Sequence, residues 1–499
     1  MRMVSDVAFY HFGLENMLGH KLSQMPAQAL EDVQRFVLAL NIDGCPLFKS
    51  TGLSAWPVLA CVTNIKPRVI FPISIAVGVS KPKDLNFLVE AISDLDKALR
   101  EGYVFNDKQF TVHLQCVICD APAKAFVKCT KQYSGYYGCD KCCQKGFYIG
   151  RMTYPLISLF NMRTNTSFRN TSQPEHHKGL SPFTRLPIDM IEDFPIDYMH
   201  QVCLGVVKKL ILRWIRGPIG DGRLSATQVS LISSNLQSLR PCIPREFARK
   251  PRKLEDIDRW KATELRQFLL YTGQFVLKDV LSHPYYNNFM VLSVAICILV
   301  SEEMAFNYRD YAHQLLQHFV SKCKDIYGRE FLVYNVHSLV HLKKEVEKFG
   351  CLDKCAAWPF ESYMQTLKRK VHCGQNPASQ IVKRVLEENE CKSEYSYKLN
   401  NQIYTKKPDN AYKIASGKYC EAVRRVTENS FMCRVYHSSE ALFERPCDSR
   451  TLGFCMFNKH NYAMKTILRK DLVKRCLKFE MENQSVFLPL LHDFSQQNR

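Results

Sequence analysis

The sequence predicts an α/β protein: a mixed β-sheet, then a large helical segment, then a small β-containing C-terminal domain. Three observations predict this order. Short apolar runs bounded by Gly, Pro or Asn fill residues 36–120, which is typical of strands. Apolar residues at helical spacing dominate residues 197–390. Short strand-like runs return beyond residue 396.

The first region reads as three strands, a helix and a fourth strand. The helix has Leu85, Leu88, Ile92, Leu95 and Leu99 on one face and ends at Gly102. The four predicted strands are 36–43, 56–62, 69–77 and 110–120. An aspartate therefore ends the first strand and the fourth strand.

Composition limits the class of protein. Hydrophobic residues make up 46% and charged residues 23%, which excludes a largely disordered chain. The longest apolar run, 289–300, has 12 residues, whereas a membrane span needs about 20. The N-terminus has no apolar core of signal-peptide length, so we expect a protein that is not secreted. Its 21 cysteines are then expected to be thiols and metal ligands rather than disulfides.

The charge balance favours a polyanionic partner. Lys and Arg number 68 against 48 Asp and Glu, a formal net charge of +20. Such a charge attracts phosphate backbones. The alternative is a basic protein that its Lys and Arg residues merely keep soluble. The charge alone does not distinguish the two, so the choice depends on the candidate metal and DNA-binding sites.

Asp43 and Asp120 are the first candidate site. A three-strand meander, a helix and a fourth strand place the first and fourth strands side by side in a ribonuclease H-like fold, and the two aspartates would then meet. Paired carboxylates repel each other unless a divalent cation neutralises them, and two Mg²⁺ ions about 4 Å apart are suited to phosphodiester chemistry. The alternative is turn chemistry, since Asp43-Gly44 is a good turn dipeptide.

Cysteines and histidines form the second candidate site. Cys139 and Cys142 have C-x2-C spacing, and His337 and His341 lie four positions apart on a predicted helix. Two thiolates and two imidazoles are a common tetrahedral zinc set. Reduced structural cysteines and a core histidine pair are the alternative, because the two halves are far apart in the sequence.

Six stretches of the chain form a recognisable combination of motifs: LNIDGCPLFKS (40–50), VICDAPAKAFVKC (117–129), GYYGCDKC (135–142), DFPIDYMHQVCLGVVKKL (193–210), DRWKATELRQFLLYTG (258–273) and YNVHSLVHLKKEVEKFG with WPFESYMQTLKR (334–369). In this combination the chain resembles the transposases of the CACTA (En/Spm) superfamily, especially their animal relatives. The resemblance implies a DDE nuclease core with Mg²⁺ or Mn²⁺ at Asp43, Asp120 and Glu361. Pro359 is expected to open the helix that carries Glu361.

The resemblance also strengthens the zinc prediction. A similar C-x2-C and histidine pair binds structural Zn²⁺ in Transib transposases and their V(D)J recombinase relatives. Here the C-x2-C begins 19 residues after Asp120, and His341 precedes Glu361 by 20 residues.

Two weaker matches concern metal and DNA. Asp197 and His200 match a D-x2-H signature, with an N-cap aspartate and a core-edge histidine as the alternative. Arg259-Trp260 is similar to an RW motif of hAT transposases. In those proteins the tryptophan stacks in the place of a base that is flipped out of the DNA. The alternative is that Trp260 is a buried residue of an amphipathic helix. The predicted DNA-binding residues are Trp260, Arg259, Arg249, Lys250, Arg252, Lys253 and Lys368.

The resemblance implies a nuclear, homo-oligomeric enzyme that cleaves the double-stranded ends of a transposable element and transfers them. A catalytically inactive DNA- or protein-binding derivative is the main alternative, and an RNA-directed nuclease a weaker one. The first acid at residue 43 leaves three alternatives open beside an active copy, namely a truncated element copy, a decayed element copy and a host-retained derivative. The predicted domains are a lead-in (1–34), the first part of the core (35–150), a helical insertion (151–330), closing core helices (331–395) and the C-terminal domain (396–499).

Overall fold

The computed structural model describes residues 1–48, 52–158, 160–220, 222–390 and 402–492. The chain divides into two compact units. The first comprises Met1–Tyr198 and residues 355–390, and the second comprises Met199–Lys354 and residues 402–492. The predicted boundary at 395/396 lies outside the described residues.

The strands follow the chain in this order: β1 (Arg2–Val4), β2 (Val7–His11), β3 (Arg35–Ile42), β4 (Cys45–Pro46), β5 (Ser54–Val62), β6 (Val69–Gly78), β7 (Tyr103–Phe105), β8 (Lys108–Ile118), β9 (Phe147–Tyr148), β10 (Met152–Thr153), β11 (Ala411–Ile414), β12 (Tyr419–Thr427), β13 (Ser430–Tyr436), β14 (Glu440–Ala441), β15 (Cys455–Asn458), β16 (Tyr462–Leu468), β17 (Leu472–Met481) and β18 (Gln484–Pro489).

The α-helices are α1 (Leu14–Ser23), α2 (Val89–Glu101), α3 (Ala121–Val127), α4 (Asn165–Arg169), α5 (Lys208–Arg216), α6 (Ala226–Ser238), α7 (Ala262–Gln267), α8 (Gly273–Val276), α9 (His283–Val300), α10 (Glu302–Tyr327), α11 (Tyr334–His337), α12 (Leu342–Phe349), α13 (Trp358–Arg369) and α14 (Pro377–Glu390). Two π-helical segments, Met199–Val207 and Phe268–Thr272, lead into α5 and α8.

A mixed sheet forms the core of the first unit. Its strand order is β1-β2-β6-β5-β3-β8-β7, and β4 pairs with β5. β3 is parallel to β8 and antiparallel to β5, which is antiparallel to β6. Nearly every residue of β5 and β6 is buried, as expected for strands covered on both faces. The four strands and the helix predicted between residues 36 and 120 are confirmed.

Residues 1–34, predicted as a lead-in, extend this sheet. β2 pairs with β6, and α1 buries Leu14, Met17, Leu18 and Leu22. The prediction missed this role because β1 and β2 together span only a few residues, too few for a reliable pattern.

In the second unit, helices run from Met199 to Tyr327, and the C-terminal residues form an antiparallel sheet. The sheet order is β14-β15-β18-β17-β11-β12-β13-β16, which confirms the β-containing C-terminal part. Helix α9 has the length and apolar composition of a membrane span, but 72% of it is buried inside the protein. A core helix meets the same criteria.

Candidate metal centres

Cys139 and Cys142 lie in a tightly fixed loop of the first unit. Both side chains are buried. The Arg163 Nε donates a hydrogen bond to the Cys139 carbonyl over 3.1 Å, and Cys142 forms an isolated β-bridge with Met162. Position 138 needs glycine, because a Cβ there would lie 2.1 Å from the Gln132 carbonyl oxygen. The loop therefore holds both sulfurs in place through its own backbone contacts.

Buried cations surround the residue between the two cysteines. Asp140 forms ion pairs with Lys128 and, at 4.0 Å, with Lys124. Burial alone raises the pKa of Asp140, but Lys128, Lys124 and Lys141 outweigh burial and lower it to about 2. Burial lowers the pKa of Lys128 to about 8 despite Asp140. Both groups are therefore charged at neutral pH.

The histidine pair belongs to a helical segment with a local 3₁₀ turn. His337 ends α11, and His341 ends the 3₁₀ segment Ser338–His341. Gln201 donates a hydrogen bond of 2.5 Å to the Ser338 hydroxyl, which fixes the turn between the two histidines. The two Nε2 atoms lie 3.2 Å apart, and both rings are buried. A zinc tetrahedron with Zn–N bonds of about 2.0–2.1 Å has an N–N edge of about 3.3 Å, which this pair matches.

The four residues form a buried Cys₂His₂ cluster that could hold a zinc ion. One ligand atom from each of Cys139, Cys142, His337 and His341 lies within 4.8 Å of all the others. A hydrogen bond with Cys139, followed by burial, raises the pKa of Cys142. Binding of Zn²⁺ would therefore displace a thiol proton.

Two of the three predicted acids lie together. Asp43 follows β3, and Glu361 lies in the first turn of α13, which has Pro359 at its start. Carboxylate oxygens of Asp43 and Glu361, with a ring nitrogen of His200, lie within 4.8 Å of one another. Asp43 also accepts a hydrogen bond of 2.7 Å from the Gly44 N–H, so the predicted turn chemistry is present as well.

Asp120 is placed differently from the other two acids. Its backbone lies beside that of Asp43, because Asn41 pairs with Ile118 across the parallel strands. Its carboxylate, however, accepts a hydrogen bond of 2.7 Å from the Ala123 N–H and caps α3. Among the described residues, the ligand group that contains Asp43 and Glu361 does not include Asp120. Convergence of all three carboxylates stays a prediction.

The D-x2-H residues have separate roles. Asp197 is buried and accepts a hydrogen bond of 3.0 Å from the Ala357 N–H, immediately before α13. It thereby positions the helix that carries Glu361. His200 is the second residue of the π-helical segment and belongs to the group with Asp43.

The base-stacking prediction for Trp260 does not fit the structure. Only 4% of Trp260 is exposed, its indole N–H donates a hydrogen bond to the Lys253 carbonyl, and its ring packs edge-on against Phe268. Arg252 is held by two hydrogen bonds to Glu264, so it is not free to bind phosphate. The buried-tryptophan alternative is the one that this geometry fits.

The other predicted DNA-binding residues divide into two groups. Arg249, Lys250, Lys253 and Arg259 are exposed and remain predicted phosphate contacts. Lys368, predicted to be free on the Glu361 helix, instead donates a hydrogen bond of 2.7 Å to the Pro46 carbonyl. It braces the turn that follows Asp43.

Lys81 is a cation near Asp120 that was not among the residues predicted from the sequence. The Lys81 ammonium lies 3.7 Å from the centroid of the Phe126 ring and 5.8 Å from that of Trp56. Burial lowers the pKa of Lys81, while the nearby Asp120 carboxylate acts in the opposite direction. Lys81 belongs to the short SKPK sequence after β6, in which no spacing rule distinguishes it from other surface lysines.

In comparisons with known proteins, no family model and no curated protein matches the chain.

Proposed function

We propose that the protein is a DDE-type DNA transposase that performs metal-dependent DNA cleavage and strand transfer. The observation that carries this proposal is the approach of the Asp43 and Glu361 carboxylates within 4.8 Å. Two carboxylates repel each other at this distance unless a cation or a proton lies between them. Residues so distant in the sequence have no reason to form such a pair for stability alone.

The strand arrangement supports a ribonuclease H-like core. β6, β5 and β3 form an antiparallel meander, and β8 adds in parallel beside β3. The first and fourth strands of this set end beside each other, which is where Asp43 and Asp120 follow. In this interpretation, the helices between Met199 and Tyr327 are an insertion between the second and third acids.

The donor atoms fit a divalent cation. Carboxylate oxygens suit Mg²⁺ and Mn²⁺, and the imidazole of His200 favours Mn²⁺ over the harder Mg²⁺. Such ions supply an activated oxygen nucleophile and charge stabilisation in phosphodiester chemistry. The nucleophile we propose is water for cleavage and a DNA 3′-hydroxyl for strand transfer. Asp43 and Glu361 would hold the ions, and Lys368 would keep the Asp43 turn in place.

The buried Cys₂His₂ cluster fits a structural Zn²⁺, since no coordination position is left for a substrate. The partners that we propose are the double-stranded ends of the protein's own element, bound in the nucleus by a homo-oligomer. The net charge of +20 supports a nucleic-acid partner.

A nicking assay tests the proposal. Full-length protein is incubated with Mg²⁺ or Mn²⁺ and a supercoiled plasmid that carries the sequences flanking its own gene. We expect nicks or breaks at those ends with wild type, and none with Asp43→Asn or Glu361→Gln. Cleavage that is equal in wild type and both variants would come from a contaminating nuclease and would contradict the proposal.

A non-catalytic DNA-binding derivative is the second candidate. Two observations favour it, namely the capping role of Asp120 and the hydrogen bond of Lys368 to Pro46. Wild-type protein that binds DNA specifically but never cleaves it, with either metal, would favour this second function.

A further inference from the structure

A small hairpin in the first unit exposes aromatic side chains. β9 and β10 form this aromatic hairpin, residues 145–153, shortly after the C-x2-C loop. Phe147 is 52% exposed, Tyr148 is 66% exposed and Ile149 at the turn is 41% exposed. Large exposed apolar groups gathered in one place mark an interaction site more often than a solvated surface.

The exposure pattern shows that the aromatic hairpin protrudes. Successive side chains of a strand leave opposite faces, so Phe147 and Tyr148 point in opposite directions. Both are nonetheless more than half exposed. The two exposed rings therefore leave the tip in opposite directions, whereas Thr153, which pairs with Phe147, is buried at the base of the hairpin. The tip has the shape of a wedge rather than of a flat docking surface.

The base of the hairpin is firmly held. The Thr153 hydroxyl donates a hydrogen bond of 2.8 Å to the Phe147 carbonyl, and the Gly146 N–H donates one to the Tyr136 carbonyl. The Ile149 N–H donates a hydrogen bond of 2.9 Å to the Arg151 carbonyl across the turn. A rigid base under exposed rings lowers the entropic cost of inserting those rings into a partner.

The charge around the rings selects the partner. Lys131, Lys145 and Arg151 are exposed, and the single acidic residue between positions 131 and 163 is Asp140. Asp140 is buried and paired with Lys128. The rings are therefore flanked by exposed positive charge with no exposed acid in the same stretch. Aromatic rings beside Lys and Arg are suited to nucleic acid, since the rings stack on bases and the cations meet phosphates.

We propose that the aromatic hairpin inserts Phe147 and Tyr148 between bases of DNA at an unpaired or distorted step, with Lys145 and Arg151 on the flanking phosphates. This inference rests on the proposed DNA-processing function for its choice of ligand. It assigns base stacking to the C-x2-C region, in place of the buried Trp260. Apolar wedges of this kind insert most easily where stacking is already weakened.

Two DNA ligands test whether the aromatic hairpin inserts its rings between bases. One is a duplex with a short single-stranded gap that contains 2-aminopurine, and the other is the same duplex fully paired. We expect wild type to prefer the gapped duplex and to quench 2-aminopurine fluorescence by stacking. The double variant Phe147→Ala with Tyr148→Ala should bind the gapped duplex about 10-fold more weakly and lose the quenching.

Two controls separate stacking from misfolding. Phe306→Ala removes another aromatic that is 77% exposed, on α10, and should leave binding unchanged. The double variant Phe147→Tyr with Tyr148→Phe keeps two stackable rings and should retain both affinity and quenching. Lys145→Gln should weaken binding to both duplexes and reduce the salt dependence by about one counterion.

Three outcomes would overturn the inference. One is equal affinity of wild type for gapped and paired duplexes, and another is undiminished quenching in the alanine double variant. The third is loss of self-association in that variant, measured by light scattering, with DNA binding unchanged; the hairpin would then contact a second copy of the chain. Hairpin-dependent DNA binding without cleavage by wild type would leave the inference standing and remove only the catalytic proposal.

Discussion

The carboxylate of Asp197 accepts a hydrogen bond of 3.0 Å from the backbone N–H of Ala357. Ala357 immediately precedes α13, and Glu361 lies in the first turn of that helix. Tyr198, the next residue after Asp197, packs edge-on against Trp358. A buried acid outside the group of Asp43 and Glu361 thus sets the position of the Glu361 backbone.

Replacement of Asp197 should affect Glu361 indirectly. Asp197→Ala leaves the buried Ala357 N–H without this acceptor, which costs about 1–3 kcal/mol of unfolding free energy. Asp197→Asn keeps a side-chain carbonyl as the acceptor and should cost less. Urea denaturation measures both values. Equal stability of wild type and Asp197→Ala would show that this hydrogen bond does not hold the start of α13.

The sequence was most informative where local patterns coincide with burial. β3, β5, β6 and β8 were found because each is a short apolar run between turn residues, and α2 because its leucines repeat at helical spacing. The approach of Asp43 to Glu361 was expected from the resemblance alone. Composition and periodicity contain no information on which distant acids meet.

Other features could not be read from the sequence for physical reasons. Trp260 looks the same in a sequence whether it faces solvent or packs against Phe268, because an amphipathic segment presents tryptophan in both cases. Asp120 has two competing uses, since an aspartate before Ala121-Pro122 is also a favourable helix N-cap. The wedge at Phe147 and Tyr148 depends on exposure of both side chains, which no linear pattern shows.

Zinc content should depend on the four clustered ligands. Cys142→Ser and His341→Ala should each reduce bound zinc from about one equivalent towards zero, measured by elemental analysis of purified protein. Cys116→Ala is the matched control, because Cys116 is equally buried in β8 and lies outside the cluster. Affinity should fall as pH falls, since protons compete for the thiolates and imidazoles. Full zinc content in both ligand variants would exclude this site.

Asp94 predicts how stability depends on pH. Its carboxylate accepts a hydrogen bond of 2.8 Å from the Leu14 N–H and lies 3.0 Å from His11 Nε2. Burial raises the pKa of Asp94, but the contacts with His11 and Leu14 outweigh burial and lower it below 3.8. Because the folded-state pKa is the lower one, the stabilisation is complete above pH 3.8 and is lost as pH falls below that value.

The substitution Asp94→Asn should therefore destabilise the protein by about 1 kcal/mol near neutral pH and flatten the acid limb of its stability profile. Urea denaturation across the acidic range measures both effects. Asp96→Asn is the control. Within the part of the chain that the structure describes, Asp96 pairs only with the exposed Arg100, so it should contribute less than about 0.5 kcal/mol. An acid limb as steep in Asp94→Asn as in wild type would contradict the assignment.

At Asp120, a single substitution can distinguish a structural role from a catalytic one. Asp120→Asn should keep the helix cap but remove the carboxylate that would bind a metal ion. Asparagine is as good an N-cap as aspartate, so Asp120→Asn should preserve the hydrogen bond from the Ala123 N–H. Its unfolding free energy should stay within about 0.5 kcal/mol of wild type. An amide is a much poorer ligand for a divalent cation than a carboxylate, so cleavage should be lost if the Asp120 carboxylate binds metal.

The substitution Asp120→Ala removes both uses and should cost about 1 kcal/mol of stability as well as all cleavage. The two variants are compared with wild type in the nicking assay and by urea denaturation. Full cleavage by Asp120→Asn would show that Asp120 is a capping residue alone. The metal group would then consist of Asp43 and Glu361 together with His200, without the second acid that the resemblance implies. Loss of cleavage with unchanged stability would instead place Asp120 in the catalytic set, because a carboxylate can accept the Ala123 N–H with one oxygen and bind a metal ion with the other.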